Sequence, residues 1–160
     1  MDTKELYREI LNDHNINPAH KVPMEGATLE LKGVNPSCGD NIVLYLKTQD
    51  GIITDGSYTG SGCAISQASV DMMLDLLIGK SIEDGLKLYE IFTGMIHGTS
   101  TPEQIEELDE AASLADISHM PSRVKCAELG WRTFHEMVTS PSDTSSPQKG
   151  ASLKHDNCPL

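Results

Sequence analysis

Four cysteines stand among 160 residues, and three of them occupy places where a thiolate can be put to use. Cys38 lies in Asn35-Pro36-Ser37-Cys38-Gly39-Asp40, a loop that Pro36 stiffens on one side and Gly39 frees on the other. Asp40, two residues on, can bring a carboxylate oxygen near the same point as the Cys38 sulfur. Cys63 follows Thr59-Gly60-Ser61-Gly62 and opens a helical run, where the helix dipole and unpaired N–H groups stabilise a thiolate. Cys126 falls in the first turns of the last helix, after Arg123 and Lys125, two cations that favour its thiolate further. Three thiols and one carboxylate suit a tetrahedral, borderline-soft ion such as zinc. However, 24 residues separate Cys38 from Cys63 and 62 separate Cys63 from Cys126, so no Cys-x-x-Cys signature is present. Spacing alone therefore also admits three unrelated cysteines, some of them buried as small hydrophobes.

Other chemistries find less support. His14 follows the apolar face of the first helix, His20 lies in a loop, His119 precedes the last helix and His155 is near the C-terminus, which suits structural or solvated roles. No Ser-His-Asp or paired-carboxylate arrangement emerges. Twelve basic against 24 acidic side chains give a net charge of -12, which repels nucleic-acid phosphate and anionic lipid. The most apolar segment, Met72 to Ile78, is broken by Asp75 and far shorter than a membrane span. The first 20 residues lack the apolar stretch of a secretory signal, so a cytoplasmic location is expected. A reducing compartment keeps thiols free, which favours metal binding or thiol chemistry over disulfides.

The elements that must position these residues are legible in part. Asp2 can cap a first helix whose Tyr7, Ile10, Leu11 and His14 share one face, ending near Asn15 to Pro18. Strand-like runs follow at Thr28–Lys32, Ile42–Thr48 and Ile52–Tyr58, with Asp50-Gly51 as a hairpin turn. A helix from Cys63 ends before Gly79, and Ser81 caps another that stops near His97-Gly98. Thr101-Pro102-Glu103-Gln104 is a capping box for a helix through about Ala115, and a last helix runs from about Pro121 to Val138. Glu103 to Asp116 carries six acids and no base, half the net charge, and reads as the solvated face of a surface helix. The order predicts an α+β fold, a three-stranded antiparallel sheet with helices packed on one face. The domain is expected over residues 1–138. Residues 139–160, rich in Ser, Thr and Pro and holding Cys158, read as a disordered tail.

Together the three cysteine contexts, Asn35-Pro36-Ser37-Cys38-Gly39-Asp40, Gly60-Ser61-Gly62-Cys63-Ala64-Ile65-Ser66 and Arg123-Val124-Lys125-Cys126-Ala127, resemble the iron-sulfur assembly proteins of the IscU and NifU N-terminal family. Asp13-His14 with Asn17-Pro18 matches too, and the resemblance covers about residues 3–138. Within that family the chain resembles the SufU branch. Lys125 stands where IscU-type scaffolds carry a histidine, and Met120-Pro121-Ser122-Arg123-Val124-Lys125 replaces their chaperone-recognition Leu-Pro-Pro-Val-Lys. The surplus around Gly98 to Asp116 resembles the SufU insertion.

The resemblance implies a SufE/NifU-like fold and zinc held by Cys38, Asp40, Cys63 and Cys126. It further implies that Cys38 is the catalytic sulfur acceptor, taking persulfide sulfur from a SufS-type cysteine desulfurase whose histidine replaces Cys38 on zinc. Downstream iron-sulfur scaffold proteins are possible recipients. Three thiolates and a carboxylate make zinc a poor Lewis acid and leave no position for an activated water, so sulfur transfer is expected rather than hydrolysis. The alternative is a scaffold on which a nascent iron-sulfur cluster forms on the same four residues, the carboxylate keeping the cluster transferable. A third reading is a zinc-stapled interaction module.

Overall fold

The computed structural model describes residues 3–36, 39–139 and 152–154. Helix α1 (Thr3–Ile16) carries the expected face, with Leu11 and His14 buried and Tyr7 and Ile10 packed against the core; Asp2, its expected cap, lies outside the described residues. Strands β1 (Leu29–Asn35), β2 (Asp40–Gln49) and β3 (Ile52–Ser61) form an antiparallel meander. The hairpin between β2 and β3 turns at Asp50 and Gly51, both at positive φ (53° and 78°), the conformation that an Asp-Gly pair accepts. Alternation along β1 buries Leu29, Leu31, Gly33 and Asn35, and along β2 it buries Asp40, Ile42, Leu44 and Leu46. The register pairs Asn35 with Asp40, so a buried polar pair ends the apolar face.

Helices α2 (Ala64–Leu77), α3 (Ile82–His97), α4 (Pro102–Glu106) and α5 (Pro121–Thr139) follow. The expected caps form: Ser81 accepts from the Asp84 N–H at 3.0 Å, and Gly98 closes α3 at φ 79°. Thr101 and Gln104 complete a reciprocal capping box at α4. Two glycines let helices approach the sheet. A Cβ on Gly33 of β1 would run into Thr133 of α5, and one on Gly56 of β3 would lie 2.7 Å from Leu74 of α2. Above the sheet, Phe92 of α3 stacks on Trp131 of α5 with ring centroids 4.7 Å apart.

The structure departs from expectation between α4 and α5. In place of one helix through Ala115, α4 stops at Glu106 and a 3₁₀ run covers Asp109–His119. Leu108, Ala111, Leu114 and Ile117 are all buried, a spacing of three residues that matches the three residues per turn of a 3₁₀ helix rather than 3.6. Glu103, Glu106, Glu107 and Glu110 would also stand three and four residues apart on one α-helical surface, where like charges repel. Ser152–Lys154 forms a short fourth strand, β4, parallel to β1, giving the order β3-β2-β1-β4. The rest of the expected tail, residues 140–151 and 155–160, lies outside the described residues. No helix among those described is long and apolar enough to cross a membrane.

Candidate metal centre

Where β1 gives way to β2 and β3 runs into α2, three of the four expected ligands meet. An oxygen of Asp40 and the sulfurs of Cys63 and Cys126 all lie within 4.8 Å of one another. Asp40 and Cys126 are fully buried and Cys63 is half-buried. Each owes its place to a local feature. Asp40 is the first residue of β2, fixed by its pairing with Asn35. Cys63 is the N-cap of α2, in extended conformation (φ -73°, ψ 169°), with its Sγ accepting the Ser66 N–H at 3.4 Å. Cys126 lies in the second turn of α5, on the side packed against α2 and β1. Cys38, the remaining expected ligand, lies outside the described residues.

The Asp40 carboxylate is held on both oxygens. Oδ1 accepts the Cys63 N–H at 2.8 Å and the Ser66 hydroxyl at 3.2 Å, and Oδ2 accepts from Asn35 Nδ2 at 3.1 Å. Asn35 Nδ2 also reaches Cys126 Sγ at 3.7 Å. Hydrogen bonding with Cys126 lowers the Cys63 thiol to about 6; burial and the Asp40 charge push it up, and the Ser66 N–H and hydroxyl help to bring it down. Gly62 leaves room for this packing, since a Cβ there would sit 2.5 Å from Ser66 Oγ and 2.8 Å from Asp40 Oδ1.

The donor set fits a thiophilic divalent ion. Two thiolates on a tetrahedral zinc stand about 3.8 Å apart, so a group already within 4.8 Å closes on an ion with small side-chain shifts. Asn35 and Ser66, which stand at the ends of two of the cysteine contexts, are supporting residues that thiol chemistry alone does not single out. The alternation Leu29, Leu31, Gly33, Asn35 is the signal that places an amide on the buried face, and Cys63-Ala64-Ile65-Ser66 has the spacing of a cap with its third helical residue. Lys125 lines a separate groove of about 280 Å³ with His97, Glu128 and Arg132. The Ser66 N–H that helps to lower the Cys63 thiol is the contribution expected of a helix N-terminus, with Cys126 the larger cause. Among the described residues no histidine joins the Asp40 group.

Residues 6–133 match the family model described as the NifU-like N terminal domain. Over 134 residues the chain is 40% identical to the iron-sulfur cluster assembly scaffold protein IscU of Streptococcus pyogenes, covering 83% of this chain and 82% of that protein. It is 37% identical over 134 residues to the zinc-dependent sulfurtransferase SufU of Bacillus subtilis, covering 83% and 89%. A crystal structure of a scaffold protein for the SUF system from Fervidobacterium islandicum superposes with a TM-score of 0.78 at 31% identity, covering 86% of this chain and 99% of that one.

Proposed function

Since the chain belongs to the NifU-like N-terminal domain family of iron-sulfur cluster assembly proteins, we propose that it is a zinc-dependent sulfurtransferase that accepts sulfur from a cysteine desulfurase and stimulates that enzyme. The observation that carries this reading is the buried, carboxylate-anchored group of Asp40, Cys63 and Cys126, in which hydrogen bonding with Cys126 lowers the Cys63 thiol. Cys38 completes the set as the fourth ligand. Bound zinc would hold these thiols deprotonated and in tetrahedral register.

The chain's own residues supply the rest. Asp40, clamped by Asn35, Ser66 and the Cys63 N–H, keeps the β1–β2 connection that contains Cys38 tied to the α2 N-terminus. The Cys38 thiolate attacks the outer sulfur of the desulfurase persulfide. A new sulfur–sulfur bond forms on Cys38, the old one breaks, and the desulfurase cysteine leaves as a thiolate. Four protein ligands leave no place for a polarised water, which supports sulfur transfer over hydrolysis.

The scaffold reading is favoured by a separate observation: relatives named iron-sulfur cluster assembly scaffold proteins, from Streptococcus pyogenes at 40% identity and from Thermotoga maritima at 38%, are as similar as the sulfurtransferase. Desulfurase turnover measured with the wild-type protein and with Cys38→Ala separates the two. Stimulation that the variant abolishes supports sulfur transfer. No stimulation, or full stimulation by the variant, removes it; a cluster that forms on the anaerobic protein and moves to an apo-acceptor then supports the scaffold.

A further inference from the structure

A second group of metal-ligating side chains joins α1, α2 and the 3₁₀ run. His14, 5% exposed, places Nδ1 2.6 Å from Asp71 Oδ2. Asp71 is itself buried on α2 and held by two backbone amides, His20 N–H at 2.9 Å and Ala19 N–H at 3.3 Å. A carboxylate that already accepts two backbone N–H groups accepts from the ring as well, which places a proton on Nδ1. On the other side of the ring, Nε2 lies 2.8 Å from Glu110 Oε1, and His14, Asp75 and Glu110 each offer a ligand atom within 4.8 Å of those of the other two. Asp75 in turn receives His20 Nε2 at 2.7 Å.

This is the arrangement by which proteins prepare a histidine for a metal. One ring nitrogen donates to a fixed carboxylate, which sets the tautomer and ring angle and makes the other nitrogen more basic. Ligand atoms in adjacent positions around an ion at about 2.1 Å stand about 3.0 Å apart, close to the observed 2.8 Å between Nε2 and Oε1. The buried ring with its Asp71 anchor forms the inner wall, and the Asp75 and Glu110 side chains, 45% and 50% exposed, leave the outer side open to water. A ring that faces carboxylates at both nitrogens either carries two protons or exchanges one of them for a cation.

The geometry points to a second cation site, separate from the thiolate centre, in which His14 Nε2, Asp75 and Glu110 bind a first-row divalent ion through one nitrogen and two carboxylate oxygens. The donor set is harder than the cysteine centre and suits Mn²⁺, Fe²⁺ or Zn²⁺ in open, partly hydrated coordination. Glu110 belongs to the acidic segment 103–116, so one of its six acids becomes a ligand instead of part of a solvated face. The site does not depend on the sulfurtransferase reading.

The test uses the full chain with zinc bound at its cysteines, titrated with Mn²⁺ while free Mn²⁺ is followed by its EPR signal. Mn²⁺ is the weakest competitor of the divalent series and leaves zinc on the thiolates. One Mn²⁺ per chain is expected, with affinity at least tenfold lower in Glu110→Gln and in Asp75→Asn. A double variant in the first turn of α3, Glu83→Gln with Asp84→Asn, removes two negative charges elsewhere, one more than either test variant, and should bind as the wild type does. Absence of stoichiometric binding, unchanged binding in Glu110→Gln, or equal weakening in the α3 control would overturn the assignment. His14→Gln should also abolish binding; if it does not fold, the two exposed acids decide.

Discussion

Asp40→Ala, measured on protein stripped of metal by chelation, separates the structural role of this carboxylate from any role as a ligand. Asp40 is fully buried and accepts three hydrogen bonds. The Ser66 hydroxyl keeps an alternative acceptor in the Cys63 carbonyl at 3.1 Å, so the loss falls on two donors, the Cys63 N–H and Asn35 Nδ2. A buried donor left unpaired costs about 2 kcal/mol, which gives about 4 kcal/mol in total. For a domain of this size that lowers Tm by about 15 °C. Asp40→Asn should cost only about 1 kcal/mol, because the substituted amide keeps an oxygen for the Cys63 N–H. Asn35 Oδ1, which has no partner among the described residues, can turn over to accept the new N–H. Zinc affinity should nevertheless fall in both variants. Urea unfolding of the three metal-free proteins is the assay. If metal-free Asp40→Ala unfolds within about 1 kcal/mol of wild type, the carboxylate does not organise the site before metal arrives, and the reasoning fails.

The Cys63 thiol, lowered to about 6 from an ordinary 9.0, binds a proton in the unfolded chain and none in the folded one between those values, so it adds stability as pH rises from about 6 to 9 and loses it on acidification through 6. Metal-free wild type should therefore gain more Tm between pH 6 and 8.5 than Cys63→Ser does; parallel profiles would contradict this. Gly62→Ala pushes a Cβ against Ser66 and Asp40 and should lower zinc affinity about tenfold, read by competition with a chromophoric chelator; unchanged affinity would mean that the turn yields freely. Thr101→Ala removes the capping box and should destabilise α4 by about 1 kcal/mol, seen as faster amide exchange at Gln104 with α5 unaffected.

Local features were legible wherever a residue type answers a backbone requirement. Asp50-Gly51 announced its turn because both positions need positive φ, and Ser81 and Thr101 announced their helices through unpaired N–H groups that only such side chains satisfy. The segment after α4 was misread because charged residues suggested an exposed α-helix, while its apolar residues repeat every three positions. The candidate centre was half legible. Cysteine contexts marked the positions, but the approach of Asp40, Cys63 and Cys126 depends on sheet register and on α5 crossing β1, which spacings of 24 and 62 residues cannot specify. His14 shows the same limit: its helix face was visible, whereas its partners Asp71 and Glu110 lie 57 and 96 residues away in sequence.

Incubation of the zinc-loaded protein with a cysteine desulfurase and cysteine, followed by alkylation and peptide mass analysis, tests the central claim most directly. The account predicts the mass of one added sulfur atom on the peptide that contains Cys38, with Cys63, Cys126 and Cys158 unmodified. Sulfur found on another cysteine, or on none while the desulfurase turns over, would contradict it.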